Sequence, residues 1–354
     1  MEDTARYLNT SESATLPNLA YTSACRRSHI NYKYRKAFVA SSLQKLEQQL
    51  SPAVELETAP LKKPPQLIFV FSGNGLDLKG IPEILLRSEP VFRDKCKEIE
   101  RLFLEYLPTG ILKSKENEYK DLSRPEVAQP LLFTLQPIAA VGHSVGEVAA
   151  AHCAGLISLE DAVKVIYHRS RLQAKVTGGR MLVVGNIPVA EVSAALGAYL
   201  GKVCVAAFNS PLSCTLSGDE VSIHAIQKDL AEHFSKRNIF LHVINVPAAY
   251  HSQMMDPVLT EIADNLSELR KGKPEIDLIS TATGKAFSDG DFVTGTYWAR
   301  QVRDPVFFAE AITTAAKSRD DPVFVEIGPQ RALKRYIIEA LGTQAKVFPS
   351  LNLS

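Results

Sequence analysis

The chain has 354 residues, which is enough to bury a sizeable core and favours two domains or one elaborated domain. Its formal net charge of +1 gives no electrostatic basis for binding nucleic acid or a membrane surface. The hydrophobic fraction is 45%, typical of a globular protein, and no apolar run approaches the roughly 20 residues that span a bilayer.

The amino terminus and the cysteine content both bear on the cellular compartment. Residues 1–13 are polar and lack the apolar core of a signal peptide. The five cysteines are scattered and odd in number, and no pair has metal-ligand spacing. We therefore expect a cytoplasmic protein without a metal site.

The first predicted segment covers residues 1–66 and ends in a stiff linker rich in proline and lysine. A short helix is predicted over residues 42–50. A basic cluster precedes it, which we interpret as a solvated face, with a phosphate or partner site as the alternative: Arg26, Arg27, Lys33, Arg35 and Lys36.

Residues 67–71 form an unbroken apolar run, as expected of a buried parallel strand, and end in Ser72-Gly73-Asn74-Gly75. A dinucleotide-binding fingerprint needs another glycine at position 78, where Leu78 stands, so the sequence excludes that kind of site. The amides of Asn74 and Gly75 could instead complete an oxyanion hole. Residues 89–107 predict an amphipathic helix.

The central motif is Gly142-His143-Ser144-Val145-Gly146, which follows a predicted short helix (131–136), Pro137 and a short strand (138–141). Glu147 and the three alanines after Val148 begin a helix. This strand–turn–helix pattern is typical of a nucleophile elbow, in which the Val145 amide and the helix dipole stabilise an oxyanion beside Ser144. The alternative is a glycine-punctuated turn without catalytic function.

A helix is predicted from the Ser158 capping box to about Lys175. Its solvated face carries Lys164, His168, Arg171 and Lys175. Arg169 projects from the opposite, largely apolar side, because its neighbours three and four residues away are mostly hydrophobic. A buried arginine needs an anionic partner, which is either an internal carboxylate or a substrate.

Residues 181–247 alternate in the order β-α-β-β-α-β, which predicts a ferredoxin-like insert that forms one wall of a cleft. The chain leaves this insert at Ala248-Ala249-Tyr250-His251-Ser252. His251 follows a strand directly and is the best-placed general base among the eight histidines. A helix to about Leu269, a strand (276–282), a helix (305–316) and a last strand (322–326) are predicted to follow.

Taken together, these motifs resemble the acyltransferase (malonyl or acyl transacylase) domain of type I polyketide synthases and animal-type fatty acid synthases. Residues 16–60 resemble part of the linker between the ketosynthase and the acyltransferase. The motifs that carry the resemblance, over about residues 67–350, are Phe71 to Gly75, Arg124 to Pro130, Gly142 to Glu147, Arg169 to Leu172, Asn209-Ser210-Pro211, Tyr250-His251-Ser252 and Glu326 to Pro329.

The family fold implied is α/β: an α/β-hydrolase-like large subdomain (67–180 and 248–350) with an inserted ferredoxin-like small subdomain (181–247). The mechanism implied is ping-pong, in which Ser144 attacks an acyl-CoA thioester with His251 as base. The amides of Val145 and Asn74 would form the oxyanion hole. Arg169 would hold the free carboxylate of malonyl in a bidentate pair.

The resemblance also assigns Tyr250, His143 and Asn209 to the substrate-binding site. It implies that a backbone carbonyl near Phe307 orients His251. The implied partners are malonyl-CoA or another acyl-CoA, an acyl carrier protein and other synthase domains, with neither nucleic acid nor membrane. No bound cofactor is implied, since the substrates themselves carry coenzyme A and phosphopantetheine. The bulk of Tyr250 favours malonyl over methylmalonyl.

Three departures from the family pattern stand out. Asn74 replaces a glutamine, and Asp77-Leu78 replaces a Gln-Trp pair. Between Gln136 and Pro137 the family has a dozen or more additional residues, so the support of the elbow is shortened, as it would be in a fragment or a decayed copy of a synthase.

Two alternatives to a malonyl transferase therefore remain open. A serine hydrolase of the thioesterase or lipase type would use the same elbow with a Ser, Asp, His order. The aspartates between Ser144 and His251 that could serve, Asp219 and Asp229, are predicted to lie on the insert's helix. The second alternative is an inactive scaffold that keeps the fold and binds partners.

Overall fold

The structure is a computed structural model. It describes residues 4, 6–8, 15–26, 37–53, 66–73, 81–108, 110–111, 124–134, 141–287, 291–317, 319–328 and 331–350. The chain divides into two compact units, Met1–Pro64 and Pro65–Ser354. Within the described ranges, no helix combines the length and the apolar character needed to span a membrane.

Helices make up most of the described part of the first unit. Helix α1 (Leu16–Cys25) is capped by the Thr15 side chain, and α2 (Leu43–Ala53) matches the helix predicted over residues 42–50. Of the predicted basic cluster, Arg26 is exposed and lies over the Tyr21 ring. The other four members of that cluster, and the proline-rich stretch after α2, lie outside the described residues.

The second unit contains two sheets and the helices that cover them. Its elements up to the second sheet are β1 (Gln66–Phe71), α3 (Ile81–Ser88), α4 (Pro90–Phe103), α5 (Pro125–Thr134), β2 (Val141–Gly142), α6 (Gly146–Cys153) and α7 (Leu159–Gln173). The second sheet and its helices comprise β3 (Gly179–Gly185), α8 (Val189–Ala195), β4 (Val203–Ser210), β5 (Ser213–Asp219), α9 (Glu220–His233) and β6 (Phe240–Ile244). The remaining elements are α10 (Asp256–Asn265), α11 (Gly295–Arg303), α12 (Phe308–Lys317), β7 (Pro322–Ile327), α13 (Lys334–Leu341) and β8 (Lys346–Pro349).

The first sheet is parallel throughout, with the strand order β2-β1-β7-β8. Its central strand β1 pairs Val70 with Val141 and Phe71 with Gly142, so the end of β1 lies beside the start of the elbow. Both Val70 and Phe71 are fully buried. The apolar residues at the end of β1 reflect this position, because a strand covered on both faces is hydrophobic there, whereas Leu67 near its start is 51% exposed.

The second sheet is antiparallel, with the order β4-β5-β3-β6. Residues 179–244 have the predicted β-α-β-β-α-β succession. A separate apolar core, which includes Leu182, Leu216 and Ile223, joins the sheet to its helices. The division into subdomains at residues 180 and 248 stays a prediction.

Several predicted element boundaries are wrong. The strand predicted over 276–282 forms only isolated bridges at Ile279, because Ser280 turns back to bond Lys285 and leaves no continuous ladder. The helix predicted from residue 305 begins at Phe308, since Val306 pairs with Ala207. The helix predicted to reach Leu269 ends at Asn265.

Five elements were not predicted at all, and two of them are helices α1 and α3. The strand at 322–326 is not the last, because β8 follows it and adds a parallel edge to the first sheet. Helices α11 and α13 were missed as well. Helix α5 begins six residues before the predicted start at residue 131, and the predicted residues 135–140 lie outside the described part of the chain.

Candidate active site

The turn between β2 and α6 has the backbone of an elbow. Ser144 has a φ of 52°, an uncommon value for a residue with a side chain. A Cβ on Gly142 would lie 2.2 Å from the Glu147 nitrogen, and one on Gly146 would lie 2.8 Å from the carbonyl oxygens of Phe71 and Ser72. The two glycines of the motif are therefore required by close backbone approach rather than by their own φ angles.

Helix α6 continues directly from the turn and is buried along its first two turns. Val148 and the three alanines after it are at most 1% exposed. Their small side chains allow α6 to pack closely behind the sheet. Val145 is the N-cap residue of α6, so its amide lies at the positive end of the helix dipole, as predicted for an oxyanion donor. The second predicted donor, Asn74, lies outside the described residues.

Ser144 and His251 are 107 residues apart in the sequence, and their side chains meet. The distance from Ser144 Oγ to His251 Nε2 is 2.7 Å, and that from His251 Nδ1 to the Asp304 carbonyl oxygen is 2.9 Å. A carbonyl can only accept a hydrogen bond, so Nδ1 carries the ring hydrogen and Nε2 is left as the acceptor. Ser144 therefore donates its hydroxyl hydrogen to His251, as a serine nucleophile requires.

The main-chain carbonyl predicted near Phe307 is found, and it belongs to Asp304, three residues earlier. Phe307 instead donates its amide to the Thr281 carbonyl. Asp304 ends helix α11, and the chain turns there because its ψ of 156° is extended.

The imidazole of His251 is held neutral by its surroundings. Its side chain is buried, and its own φ is 57°. Burial, together with the positive charge of Arg169, lowers the pKa of His251 to about 3, against the opposing effect of the Asp304 hydrogen bond. At neutral pH the ring is therefore a free base.

Arg169 is 2% exposed and projects from α7 toward Ser144. Its Nη2 donates to Ser144 Oγ at 3.3 Å, whereas Nε and Nη1 have no hydrogen-bond partner among the residues that the structure describes. Burial lowers the pKa of Arg169 to about 10, so the guanidinium stays charged at neutral pH. The internal ion pair considered from the sequence is not found within the described ranges.

Tyr250 is 4% exposed and directly precedes His251 in the sequence. In the described part of the chain its hydroxyl has no hydrogen-bond partner. Burial raises the pKa of this phenol, while the nearby Arg169 lowers it. A buried hydroxyl and a buried guanidinium, both with unused donors, lie close enough to influence each other.

His143 and Asn209 join the elbow to the antiparallel sheet. Asn209 donates from Nδ2 to Thr215 Oγ1 at 3.0 Å, so its Oδ1 accepts from His143 Nε2 at 2.9 Å. The His143 ring also packs against Phe308, with 5.3 Å between ring centroids. Burial lowers the pKa of His143. This bond fixes the position of the elbow relative to β4, and the substrate-binding role of both residues stays a prediction.

Four further residues support the elbow and were not predicted. Gln301 donates to the Ser144 carbonyl at 2.6 Å, and Thr281 donates to the Gly142 carbonyl at 2.7 Å. Glu147 and Tyr297 complete the group, with 2.6 Å between Tyr297 Oη and Glu147 Oε1. Only Glu147 carried a sequence signal, as a charged residue in a helix start that is otherwise apolar.

The aspartates considered for a hydrolase triad have other partners. Asp219 caps α9 through the Ser222 amide, and Asp229 accepts from the Tyr199 hydroxyl at 2.6 Å. The Nδ1 position of His251, which a triad carboxylate would occupy, is already bonded to a main-chain carbonyl.

Comparison with known proteins identifies the family to which the chain belongs. Residues 68–352 match the family model described as "Acyl transferase domain". The highly reducing polyketide synthase Preu1 of Preussia isomera is 33% identical over 371 residues, which cover 93% of this chain and 15% of that synthase. The chain spans 9% to 17% of the length of such curated relatives.

Two solved structures extend the comparison to the fold. The acyltransferase domain from module 8 of the salinomycin polyketide synthase gives a TM-score of 0.86 at 25% identity, covering 99% of this chain and 87% of that one. The domain from the second module gives 0.77 at 30% identity, covering 99% and 86%. The chain belongs to the acyl transferase domain family, and the predicted α/β fold class is confirmed.

Proposed function

We propose that this chain transfers malonyl from coenzyme A to the phosphopantetheine thiol of an acyl carrier protein, by a Ser–His ping-pong mechanism. The observation that carries the proposal is the position of Ser144 Oγ. It lies 2.7 Å from the acceptor nitrogen of a neutral His251 and 3.3 Å from a buried Arg169 that has two unused donor nitrogens.

In the first half-reaction, Ser144 Oγ attacks the thioester carbonyl carbon while its proton moves to His251 Nε2. The negative charge that develops on the carbonyl oxygen would be stabilised by the Val145 amide at the start of α6. The carbon–sulfur bond then breaks, and His251 returns the proton to the departing thiolate. The products are a malonyl ester of Ser144 and free coenzyme A.

The second half-reaction is the reverse, with a different thiol. The phosphopantetheine thiol gives its proton to His251 and attacks the ester carbon. The bond to Ser144 Oγ breaks, and the serine recovers its proton from the imidazole. The carrier leaves as a malonyl thioester, so the chain returns to its starting state without a cofactor.

The identity of the acyl group is argued from Arg169. A buried guanidinium with unsatisfied donors is costly unless an anion binds it, because each unpaired buried donor loses its hydration. A malonyl carboxylate would accept from two of its nitrogens in a planar bidentate pair. An unsubstituted acetyl group would leave the same donors unpaired. The tyrosine at position 250 narrows the pocket and disfavours an α-methyl branch.

The carrier protein is argued from family membership and relatives. The curated relatives are polyketide synthases, which are much longer than this chain, and the solved neighbours are acyltransferase domains of such synthases. We therefore propose that the chain acts beside other synthase domains.

The test is mass spectrometry of the protein after incubation with malonyl-CoA. We expect a malonyl adduct on Ser144, absent in Ser144→Ala, that moves to the thiol of an added holo carrier protein. Rapid loss of the adduct to water in the presence of carrier would instead identify a serine hydrolase. A folded protein that forms no adduct would be the inactive scaffold.

A further inference from the structure

The side chain of Glu147 is fully buried three residues after the nucleophile, and the proposed mechanism gives it no task. A carboxyl group at 0% exposure is expensive to keep ionised unless a cation pairs with it. In the described part of the chain, neither a lysine nor an arginine makes a salt bridge with Glu147. Its hydrogen-bond contacts include the hydroxyl groups of Tyr297 and Thr281.

Two oxygen–oxygen contacts involve the Glu147 carboxyl group, and two more extend from its partners. Tyr297 Oη lies 2.6 Å from Oε1, and Thr281 Oγ1 lies 2.9 Å from Oε2. Thr281 Oγ1 also lies 2.7 Å from the Gly142 carbonyl oxygen, and Ser280 Oγ lies 2.9 Å from Tyr297 Oη.

Each of these four contacts needs one hydrogen between its two oxygens, since bare lone pairs repel at such distances. The three hydroxyl groups, of Ser280, Thr281 and Tyr297, supply three hydrogens, and the Gly142 carbonyl supplies none. Unless the single Thr281 hydrogen is shared between the Gly142 carbonyl and Glu147 Oε2, the fourth hydrogen comes from the carboxyl group itself.

We infer that Glu147 is a protonated carboxylic acid in the native protein, and that it donates its proton from Oε2 to Thr281. The directions of all four bonds then follow. Ser280 donates to Tyr297, Tyr297 donates to Oε1, and Thr281 donates to the Gly142 carbonyl. Glu147 is thus a positioning residue, because this series of hydrogen bonds ends on the Gly142 carbonyl, in the backbone of the elbow two residues before Ser144.

The surroundings agree with a neutral acid. Burial raises the pKa of Glu147, against the opposing hydrogen bonds from Tyr297, Ser280, Thr281 and Gln301. The guanidinium of Arg169 on α7 interacts electrostatically with the Glu147 carboxyl group, but the two groups make no ion pair. The titratable neighbour on α11 is Tyr297.

The charge state of Glu147 matters for the substrate, and this step rests on the proposed function. An ionised Glu147 would offset the positive charge of Arg169 and compete with the malonyl carboxylate. A neutral Glu147 leaves that charge available. Deprotonation at alkaline pH is therefore expected to raise the KM for malonyl-CoA, while Glu147→Gln is expected to be insensitive to it.

The direct test is infrared spectroscopy of the full chain at pH 7, comparing the wild type with Glu147→Gln. We expect the difference spectrum to contain the C=O stretch of a protonated carboxyl, which shifts in D₂O. A difference spectrum that contains only carboxylate bands would overturn the inference. Thr281→Val gives a second measurement, since it removes one partner of Oε2 and is expected to shift the same C=O band.

Glu326 supplies a matched control, because it is another buried glutamate with the opposite hydrogen count. Its Oε1 accepts from the Leu333 amide at 2.8 Å and its Oε2 from the Lys334 amide at 3.0 Å, so neither oxygen can donate to its partner. In Glu326→Gln, the side-chain NH₂ group would face a backbone N–H, and neither group could accept a hydrogen bond from the other. We expect Glu326→Gln to lower Tm by ~3 °C or more and Glu147→Gln by less than ~2 °C.

Kinetics at pH 7 give an independent readout. We expect Glu147→Gln to keep the KM for malonyl-CoA within about twofold of the wild type. If the KM of Glu147→Gln for malonyl-CoA were about tenfold or more below that of the wild type, the wild-type residue would be ionised, which contradicts the inference. A chain that transfers no malonyl would refute the proposed function but leave the infrared result interpretable.

Discussion

The side chains of Ser144 and His251 meet at 2.7 Å, and both residues have a positive φ, 52° and 57° respectively. Neither residue is glycine, so each backbone is in a conformation that side chains disfavour by of the order of 1–3 kcal/mol. The surrounding contacts must supply this energy. The hydrogen bonds from Gln301 to the Ser144 carbonyl and from the His251 amide to the Val302 carbonyl are two of them.

The first prediction concerns pH. Because burial lowers the pKa of His251 to about 3, well below the 6.5 of a free histidine, the base stays neutral in weakly acidic solution. We expect kcat/KM for acyl transfer to hold down to about pH 5, measured as initial rates of adduct formation. An acid limb with its midpoint near pH 6.5 would contradict this.

The same shift has a consequence for stability. Between pH 6.5 and about 3 the unfolded state binds a proton at His251 that the native state does not, so stability falls as pH falls through this window. The slope from this one group is at most about 1.4 kcal/mol per pH unit. His251→Gln is expected to have a shallower loss of stability on acidification, measured by denaturant unfolding.

The second prediction separates malonyl from acetyl transfer. Removing one partner of a buried charged contact costs roughly 2–5 kcal/mol, so Arg169→Ala should lower malonyl transfer by about 30-fold or more. Acetyl-CoA has no free carboxylate, and its transfer should fall much less. Equal losses for both substrates would contradict the carboxylate role.

Arg171→Ala is the matched control for Arg169. Arg171 lies on the same helix and pairs with Glu261 at 3.1 Å, where both side chains are partly exposed. A pair of this kind contributes about 0–1 kcal/mol. We expect both transfer rates to stay within about twofold of the wild type.

The third prediction tests the elbow. Gly146→Ala would bring a Cβ to 2.8 Å from the carbonyl oxygens of Phe71 and Ser72, and these backbone atoms cannot move independently of β1. We expect a loss of about 1–3 kcal/mol in stability and about a hundredfold in transfer rate. In the control Gly197→Ala, the added Cβ meets no atom within 4 Å. We expect this variant to keep the wild-type stability, measured by thermal unfolding, and the wild-type transfer rate.

The fourth prediction concerns the acyl substituent. Tyr250→Ala removes the bulk of the tyrosine ring next to His251 and so enlarges the space for the acyl group. A single methyl group is worth about 1–3 kcal/mol in such a pocket. The ratio of methylmalonyl to malonyl transfer should therefore rise by about tenfold or more. Tyr250→Phe keeps the bulk and should leave the ratio unchanged. A ratio that is unaffected by either change would exclude a steric role for Tyr250.

The sequence predicts what is encoded locally. The Gly-x-Ser-x-Gly turn needs close backbone approach at residues 142 and 146, and this requirement is visible in the choice of glycine. The Ser158 cap is likewise local, since its side chain accepts from the Asp161 amide at 3.0 Å. The succession of strands and helices in residues 179–244 follows from changes in hydrophobic period.

Contacts that depend on tertiary position were not predictable in the same way. The carbonyl that orients His251 could be placed only near residue 307, because any residue type has a carbonyl and its direction depends on where α11 ends. Gln301 and Thr281 bind the elbow from segments more than 130 residues away. The strand predicted around Ile279 fails for a related reason, since its polar residues bond to the elbow and to a turn.

The main-chain carbonyl behind His251 also affects the charge balance around Ser144. A carbonyl contributes a dipole but no net charge, whereas an aspartate there would add a full negative charge beside the nucleophile. The guanidinium of Arg169 therefore dominates the local field. For the proposed malonyl transfer, this balance favours an acyl group that ends in an anion, whereas the negative charge of an aspartate in that position would repel it.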